Sequence, residues 1–165
     1  MPLPEPVVSN SGPLITLATI GKLSLLEALF GELCVPQAVY DEVVAQGSGE
    51  PGSAEISAAP WIRVHQVQDD LAVHLLQESL GAGESEALVL AQELHAKYVL
   101  IDDALARRKA EHIGLRLTGT LGLFLMAKNA GLISAVKSIL DELRQTDFRM
   151  SDRVYQDVLS KAGES

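Results

Sequence analysis

The sequence predicts an α/β protein of three layers, α/β/α, in which helices cover both faces of a mainly parallel sheet. Short apolar segments alternate with helical patterns along the chain, and this alternation produces right-handed βαβ units. Residues 98–101 are wholly apolar, as in a parallel strand that is buried on both faces. With 165 residues, of which 47% are hydrophobic, the chain has the size of one domain with a full core, covering 1–165.

Glycine and proline residues divide the first half of the chain into elements. A helix begins around Pro13 and ends before Gly21, and Pro36 stands where a proline favours the start of a helix. Residues 61–67 alternate apolar and polar side chains, as a half-buried or edge strand does. The predicted order is a strand at 7–8, helices at 12–20 and 23–30, a strand at 33–35, a helix from 36, a flexible loop at 46–53 and a strand at 61–67.

The second half has a stronger helical pattern. Residues 84–95 form its clearest helix, with Ala87, Leu90, Ala91 and Leu94 at helical spacing, and Gly81-Ala-Gly83 separates it from the preceding helix. The predicted order is a helix at 71–80, the helix at 84–95, strands at 98–101 and 115–117 around a helix at 104–113, a helix through 130, a helix at 134–145 and a C-terminal helical segment within 146–165, with its helix at 151–162.

The charge of the chain leaves two classes of partner open. A net charge of −9 and a pI near 4.8 argue against a broad nucleic-acid-binding surface, which is normally basic. They are compatible with a nuclease whose metal ion supplies positive charge locally, and with a protein that binds a small basic partner.

Three features of the sequence predict a cytoplasmic protein without a membrane anchor. The N-terminus lacks the basic start and apolar core of a signal peptide, and no apolar run has the ~18 residues of a membrane helix. Cys34 is the only cysteine, which excludes an internal disulfide and is typical of a reducing compartment.

Acidic or amide residues follow the predicted strands or begin the predicted helices. The carboxyl ends of parallel strands meet at one edge of such a sheet, which is where these folds bind ligands. Carboxylates gathered there repel one another unless a cation lies between them, and sites made only of oxygen ligands suit Mg²⁺ or Mn²⁺. The pattern predicts metal-assisted phosphodiester chemistry at Asn10, Glu42, Glu84 or Glu86, and Asp102 or Asp103.

Each of these residues also has an ordinary explanation. The two glutamates of segment 84–86 favour the positive end of a helix dipole, and one of the paired aspartates is expected to cap the helix that follows. Glu42 resembles a solvated surface residue, and Asn10 a turn residue. Their shared position at strand ends is what favours a joint site, in which Glu84 faces the sheet edge better than Glu86 because it lies near the face of Ala87.

Other chemistries find less support. The four histidines and the cysteine lack the spacing of a zinc site, and the chain has no serine-nucleophile elbow, phosphate-binding lysine loop or dinucleotide-binding glycine pattern. The basic run Arg107-Arg-Lys109 either contacts phosphates or forms a solvated helix face. Thr118 and Thr120 either hold a water or phosphate or cap the next helix.

Taken together, five segments resemble the PIN-domain proteins, and in particular a poorly characterised bacterial and archaeal branch predicted to bind nucleic acid. The resemblance runs from about Val7 to Ala162. It implies a Rossmann-like α/β/α domain, a Mg²⁺- or Mn²⁺-dependent ribonuclease site, frequent service as the toxin of a toxin–antitoxin pair, and often a homodimer. The segments are 7–15 (VVSNSGPLI), 35–42 (VPQAVYDE), 83–87 (GESEA), 100–103 (LIDD) and 118–122 (TGTLG).

The resemblance also implies site residues. The first-strand aspartate of the family falls at Asn10, which departs from the family pattern, because an amide can ligate a cation but carries no charge. The prediction is a metal-dependent endoribonuclease with RNA as its substrate; the alternative is a catalytically weak or inactive PIN-like protein that acts through protein contacts. The other family acids fall at Glu42, at Glu84 with Glu86 as the fallback, and at Asp102 or Asp103.

Overall fold

All five strands among residues 5–164 run parallel in one sheet, in the order β3-β2-β1-β4-β5. The computed structural model describes residues 5–164; the first four residues of the N-terminus and the last residue of the predicted 146–165 segment lie outside it. The α/β class and the parallel sheet predicted from the sequence are therefore confirmed. The strands are β1 (Val7–Ser9), β2 (Leu33–Pro36), β3 (Ile62–His65), β4 (Tyr98–Leu100) and β5 (Leu117–Thr118).

The central strand is β1, which pairs with β2 on one side and with β4 on the other. Strand β4 is interior, as its apolar sequence predicts, because β5 pairs with its second edge. Strand β3 pairs only with β2 among the described strands, so the alternating pattern of residues 61–67 does mark an edge strand.

Helices cover both faces of the sheet. Successive residues of a strand point to opposite faces, and Val7 joins a core with α1, α2, α8, α9 and α10 while Val8 joins a core with α6 and α7. The helices are α1 (Ser11–Thr19), α2 (Ser24–Phe30), α3 (Gln37–Tyr40), α4 (Ser53–Ser57), α5 (Asp70–Leu76), α6 (Ala82–Glu93), α7 (Ala104–Ile113), α8 (Thr120–Asn129), α9 (Lys137–Leu143) and α10 (Asp152–Lys161).

The structure corrects several predicted boundaries. Helix α6 begins at Ala82, so only Gly81 separates it from the preceding turns, and the predicted helix at 71–80 ends at Leu76. The predicted flexible loop at 46–53 consists of turns followed by α4, a helix that the sequence analysis missed because its five residues have too little periodicity to detect. Strand β5 lies at Leu117–Thr118, later than predicted, and α10 is shorter than its predicted segment.

A π-helical turn, Asp41–Ala45, continues α3. Its hydrogen bond spans five residues instead of four: the Gln46 amide donates to the Asp41 carbonyl at 2.8 Å. Such turns insert an extra residue into a helix and often occur at functional sites. Sequence periodicity does not reveal this turn, which contains Glu42.

None of the helices among the described residues is both long and apolar enough to cross a membrane.

The Glu164 carboxylate holds the C-terminal end of the chain against α8 and α9. One oxygen accepts from Lys128 Nζ at 2.8 Å and from the Val136 amide at 2.7 Å, and the other accepts from the Lys137 amide at 3.0 Å. These donors, the lysine first, lower the pKa of the Glu164 carboxyl from 4.5 to about 2. Lys128 Nζ also donates to the Ala162 carbonyl at 2.6 Å, at the end of α10.

We expect Glu164→Gln to lower the Tm at neutral pH by about 2–6 °C, because the charged acceptor is lost. The folded-state pKa of this carboxyl is depressed, so its contribution is present above pH 4.5 and is lost as the pH falls towards 2. Thermal melts from pH 7 down to pH 2.5 should show the two proteins converging in acid. Glu142→Gln, a change at an exposed site on α9, is the control; an equal Tm loss in both variants would contradict the assignment.

Candidate functional site

The carboxyl edge of the sheet brings the ends of β1 and β4 together. Asn10 follows β1, and its backbone amide donates to the Leu100 carbonyl at 3.0 Å, which continues the pairing of the two strands. Asp102 and Asp103 follow β4 on the same edge. The structure therefore places the predicted strand-end residues next to one another.

Glu42 reaches this region from the π-helical turn. Its Oε1 accepts a hydrogen bond from the Gly83 amide at 3.1 Å, in the first turn of α6. A methyl group on Gly83 would overlap the Glu42 carboxylate, so only glycine allows the side chain to approach this closely. Glu42 is thus bound to the start of the helix that carries Glu84, and is not the free surface residue of the ordinary explanation.

Glu84 lies in the first turn of α6, near two other carboxylates. Burial raises the pKa of the Glu84 carboxyl, and the negative charge of Asp103 raises it further, with a smaller effect from Glu42. The Gly81 amide donates to Glu84 Oε1 at 3.4 Å, which opposes these effects. Asp103 and Glu42 are therefore close enough to Glu84 to act on it electrostatically.

The two aspartates after β4 have different partners. Asp103 caps α7, because its Oδ2 accepts from the Ala106 amide at 2.9 Å, and its carboxylate lies within hydrogen-bonding reach of the Glu84 carboxyl. Asp102 is held by Thr120, whose amide donates to Oδ1 at 2.8 Å and whose hydroxyl donates to Oδ2 at 2.6 Å. Each carboxylate oxygen has two lone pairs, so both aspartates keep acceptor capacity for a ligand.

The Asn10 side chain neither stabilises a turn nor caps a helix. Asn10 occupies the cap position of α1, yet its side chain makes no capping hydrogen bond. The residue is 5% exposed, and Oδ1 finds no partner among residues 5–164. A buried oxygen left without a donor costs about 1–3 kcal/mol, and such a group calls for an explanation such as a bound ion or water.

Glu86 has a separate structural role. Its Oε1 accepts from the Ala38 amide at 3.1 Å and so stabilises the first turn of α3. This amide is one of the four that have no partner within their own helix. Glu86 therefore joins α6 to α3, whereas Glu84 faces Asp103.

The donors in this region fit a hard divalent cation by their chemistry, since they are carboxylate and amide oxygens with an excess of negative charge. The unpartnered Asn10 oxygen and the mutual repulsion around Glu84 both fit a cation. Among the described residues, however, no group of three or more His, Cys, Asp or Glu side chains is already arranged around one metal position.

Two contributors to this region had only a weak signal in the sequence. Thr120 is fully buried and orients Asp102. Its position two residues after β5 was the feature of the sequence that indicated a role for it. Arg107 lies beside Asp102 and donates to the Ile101 carbonyl at 2.8 Å. The basic run at 107–109 had indicated either phosphate contact or a solvated face, and only Arg107 of the three lines the groove beside the aspartates.

The sequence was compared with models of known protein families. A family model described as a PIN domain matches residues 6–164, so the chain belongs to the PIN-domain family, and the resemblance predicted from the sequence is confirmed. The chain thereby has a nuclease-like fold, and PIN domains generally use divalent metals. No curated protein matches the sequence.

We expect Glu84→Gln to raise the Tm of the metal-free protein by about 1–3 °C near pH 7. The folded-state pKa of Glu84 is raised, so the ionised carboxylate opposes folding, and the penalty grows as the pH rises above 4.5. The site is partly exposed, so screening keeps the effect small.

Thermal melts in a chelator between pH 4 and pH 8 test this, with Glu111→Gln, at an exposed position of α7, as the control. A gain at pH 7 that vanishes near pH 4 is expected. A loss at pH 7 would mean that Glu84 is not repelled by its neighbours.

Proposed function

We propose that this chain is a Mg²⁺- or Mn²⁺-dependent endoribonuclease of the PIN type. The observation that carries the proposal is the meeting of carboxylates at the start of α6: the Gly83 amide holds Glu42 there, and burial and the charge of nearby Asp103 raise the pKa of Glu84 in the same turn. Membership of a family with a nuclease-like fold supports the same reaction class. The proposed metal ligands are Glu42, Glu84 and Asp103, with Asn10 and Asp102 completing the site and Glu86 as the alternative to Glu84.

A divalent cation bound here would activate a water and stabilise negative charge on the phosphate. The chain's own residues would hold the geometry: Thr120 orients both oxygens of Asp102, and the Gly83 amide orients Glu42. Glu84, near Asp103 in the first turn of α6, would supply a charged carboxylate oxygen to the cation. Asn10 would supply a neutral amide oxygen.

A second candidate function is that of a catalytically weak or inactive PIN-like protein that acts through protein contacts. Asn10 favours it, because an amide adds no negative charge to the site. The absence of a ready-made group of three ligands among residues 5–164 also favours it. The net charge of −9 would suit a small basic partner, such as an antitoxin-like protein. Both candidate functions include the proposals that the protein forms a homodimer and is located in the cytoplasm.

We expect Glu84→Gln, Glu42→Gln and Asp103→Asn each to reduce metal-dependent cleavage by at least about 100-fold, since each removes a charged ligand. The measurement is cleavage of a labelled unstructured RNA with Mg²⁺, with Mn²⁺ and with a chelator. Glu111→Gln is the remote control, and Glu86→Gln decides between the two glutamates of α6.

A Mn²⁺-induced rise in Tm, measured on the same variants, separates ligand loss from misfolding. Full activity in Glu84→Gln together with loss in Glu86→Gln would transfer the ligand role to Glu86. No metal-dependent cleavage by the wild-type protein would favour the second candidate function.

We expect Asn10→Asp to bind Mn²⁺ more tightly and to cleave RNA at an equal or higher rate. The change adds a charged oxygen at nearly the same size, and carboxylate charge strengthens hard-cation sites. Isothermal titration of both proteins with Mn²⁺ measures it. Identical titrations would place Asn10 outside the metal site, and tighter binding without cleavage would favour the non-catalytic protein.

A further inference from the structure

A groove of about 930 Å³ begins at Asp102 and Asp103 and extends away from the acidic edge. Its walls are formed by α1, by the segment from β5 into α8, by the loop before α10, and by α10 itself. The proposed ligands Glu42 and Glu84 do not line it. The groove is therefore a separate surface that adjoins the candidate metal site at the two aspartates.

Three cationic side chains line this groove in a chain of net charge −9: Arg107, Arg149 and Lys161. None of the three forms an ion pair with another part of the chain that the structure describes. The acids lining the groove are Asp147 and, at one end, the aspartate pair. The lining thus carries three cations and three acids: Arg107 lies beside the aspartate pair, whereas Arg149 and Lys161 come from the loop before α10 and from α10.

Arg107 is held in place at the boundary between the two regions. Its Nη1 donates to the Ile101 carbonyl at 2.8 Å, which leaves further guanidinium donors for a ligand. A methyl group on Gly119 would lie 2.7 Å from Asp102 Oδ1 and 2.8 Å from Arg107 Nη1, so the glycine allows both side chains to reach the same spot. Arginine in a fixed position suits bidentate binding of a phosphate.

Phe148 and exposed aliphatic side chains form the apolar part of the groove. Phe148 is partly buried against the core and also lines the groove, and its amide donates to Thr146 Oγ1 at 3.1 Å within the loop before α10. Ile15 and Val154, each 39% exposed, also line the groove. An aromatic ring beside unpaired cations is the arrangement that binds single-stranded nucleic acid, with bases on the ring and phosphates on the cations.

We propose that this groove binds the single strand of RNA that runs away from the cleavage site, with Arg107 holding the phosphate nearest the aspartates, Arg149 and Lys161 holding phosphates further along, and Phe148 stacking a base. The inference rests on the proposed function for its choice of RNA. Cations without ion-pair partners, one of them an arginine held in place, together with an aromatic side chain favour a nucleic-acid strand over a basic protein, because only the nucleic acid offers both phosphates and bases.

The test measures RNA binding under conditions in which the RNA is not cleaved. Fluorescence anisotropy of a labelled unstructured RNA is measured in a chelator at low salt, for the wild-type protein and for Arg107→Gln, Arg149→Gln, Lys161→Gln and Phe148→Leu. The matched controls are Arg108→Gln on α7 and Arg153→Gln on α10, which remove the same charge from the same helices outside the groove.

We expect each groove cation variant to raise the Kd about 3- to 10-fold and to reduce the slope of log Kd against log salt by ~0.7, the value for one phosphate contact with a single strand. Phe148→Leu should raise the Kd about fivefold or more without changing this slope. The controls should match the wild-type protein. Thermal melts verify folding, and Arg149→Gln and Lys161→Gln keep the test valid if loss of the Arg107 hydrogen bond destabilises the fold.

The measurements distinguish a wrong groove assignment from a wrong ribonuclease assignment, because the two give different results. Equal affinities of the groove and control variants, or no binding by the wild-type protein at low salt, would overturn the groove assignment even if metal-dependent cleavage is observed. Groove-dependent binding without any cleavage would support the groove and contradict the ribonuclease.

Discussion

The hydrogen-bonded pairing of β1 with β4 is the constraint on which the candidate site depends. These strands are distant in sequence, yet their register aligns Ser9 with Leu100, and the Asn10 amide extends the pairing by one more bond to the Leu100 carbonyl. A slip of one residue would turn Val7 and Val8 to the wrong cores and would separate Asn10 from the aspartates after β4. Burial of two different cores therefore fixes the location of the polar edge.

Acidic side chains in this protein have structural partners as well as a proposed chemical role. Glu42 accepts from Gly83 and Glu86 accepts from Ala38, so each ties α6 to the α3 segment, and Asp103 caps α7. Backbone amides at helix starts lack partners in their own helix, and carboxylates satisfy them well. The same contacts hold Glu42 and Asp103 in place near Glu84, whose pKa is raised by burial and by the negative charge of Asp103. Backbone hydrogen bonds thus bring these carboxylates to one region, although no three of the described acidic side chains surround a single metal position.

The net charge of −9 describes the whole chain, but its charged side chains are unevenly distributed over the surface. The groove adjoins the candidate site at Asp102 and Asp103, and its lining includes three cations without ion-pair partners among the described residues. Helix α10 forms one wall of the groove, and the bonds of Glu164 and Lys128 hold its C-terminus against α8 and α9. The pI near 4.8 thus describes the whole chain and not the surface that would meet a substrate.

The sequence by itself determined the fold class, the family and most elements, because alternating apolar runs and glycine or proline boundaries are local properties. It also indicated which residues share the carboxyl edge, since strand ends meet there in any parallel sheet. Only the tertiary structure decided how these residues divide their roles. Helical spacing already favoured Glu84 over Glu86 for the sheet edge. The bond of Glu86 to the Ala38 amide, that of Glu42 to the Gly83 amide and the two bonds of Thr120 to Asp102 follow from helix packing. Such contacts join residues far apart in the chain, so no local pattern encodes them.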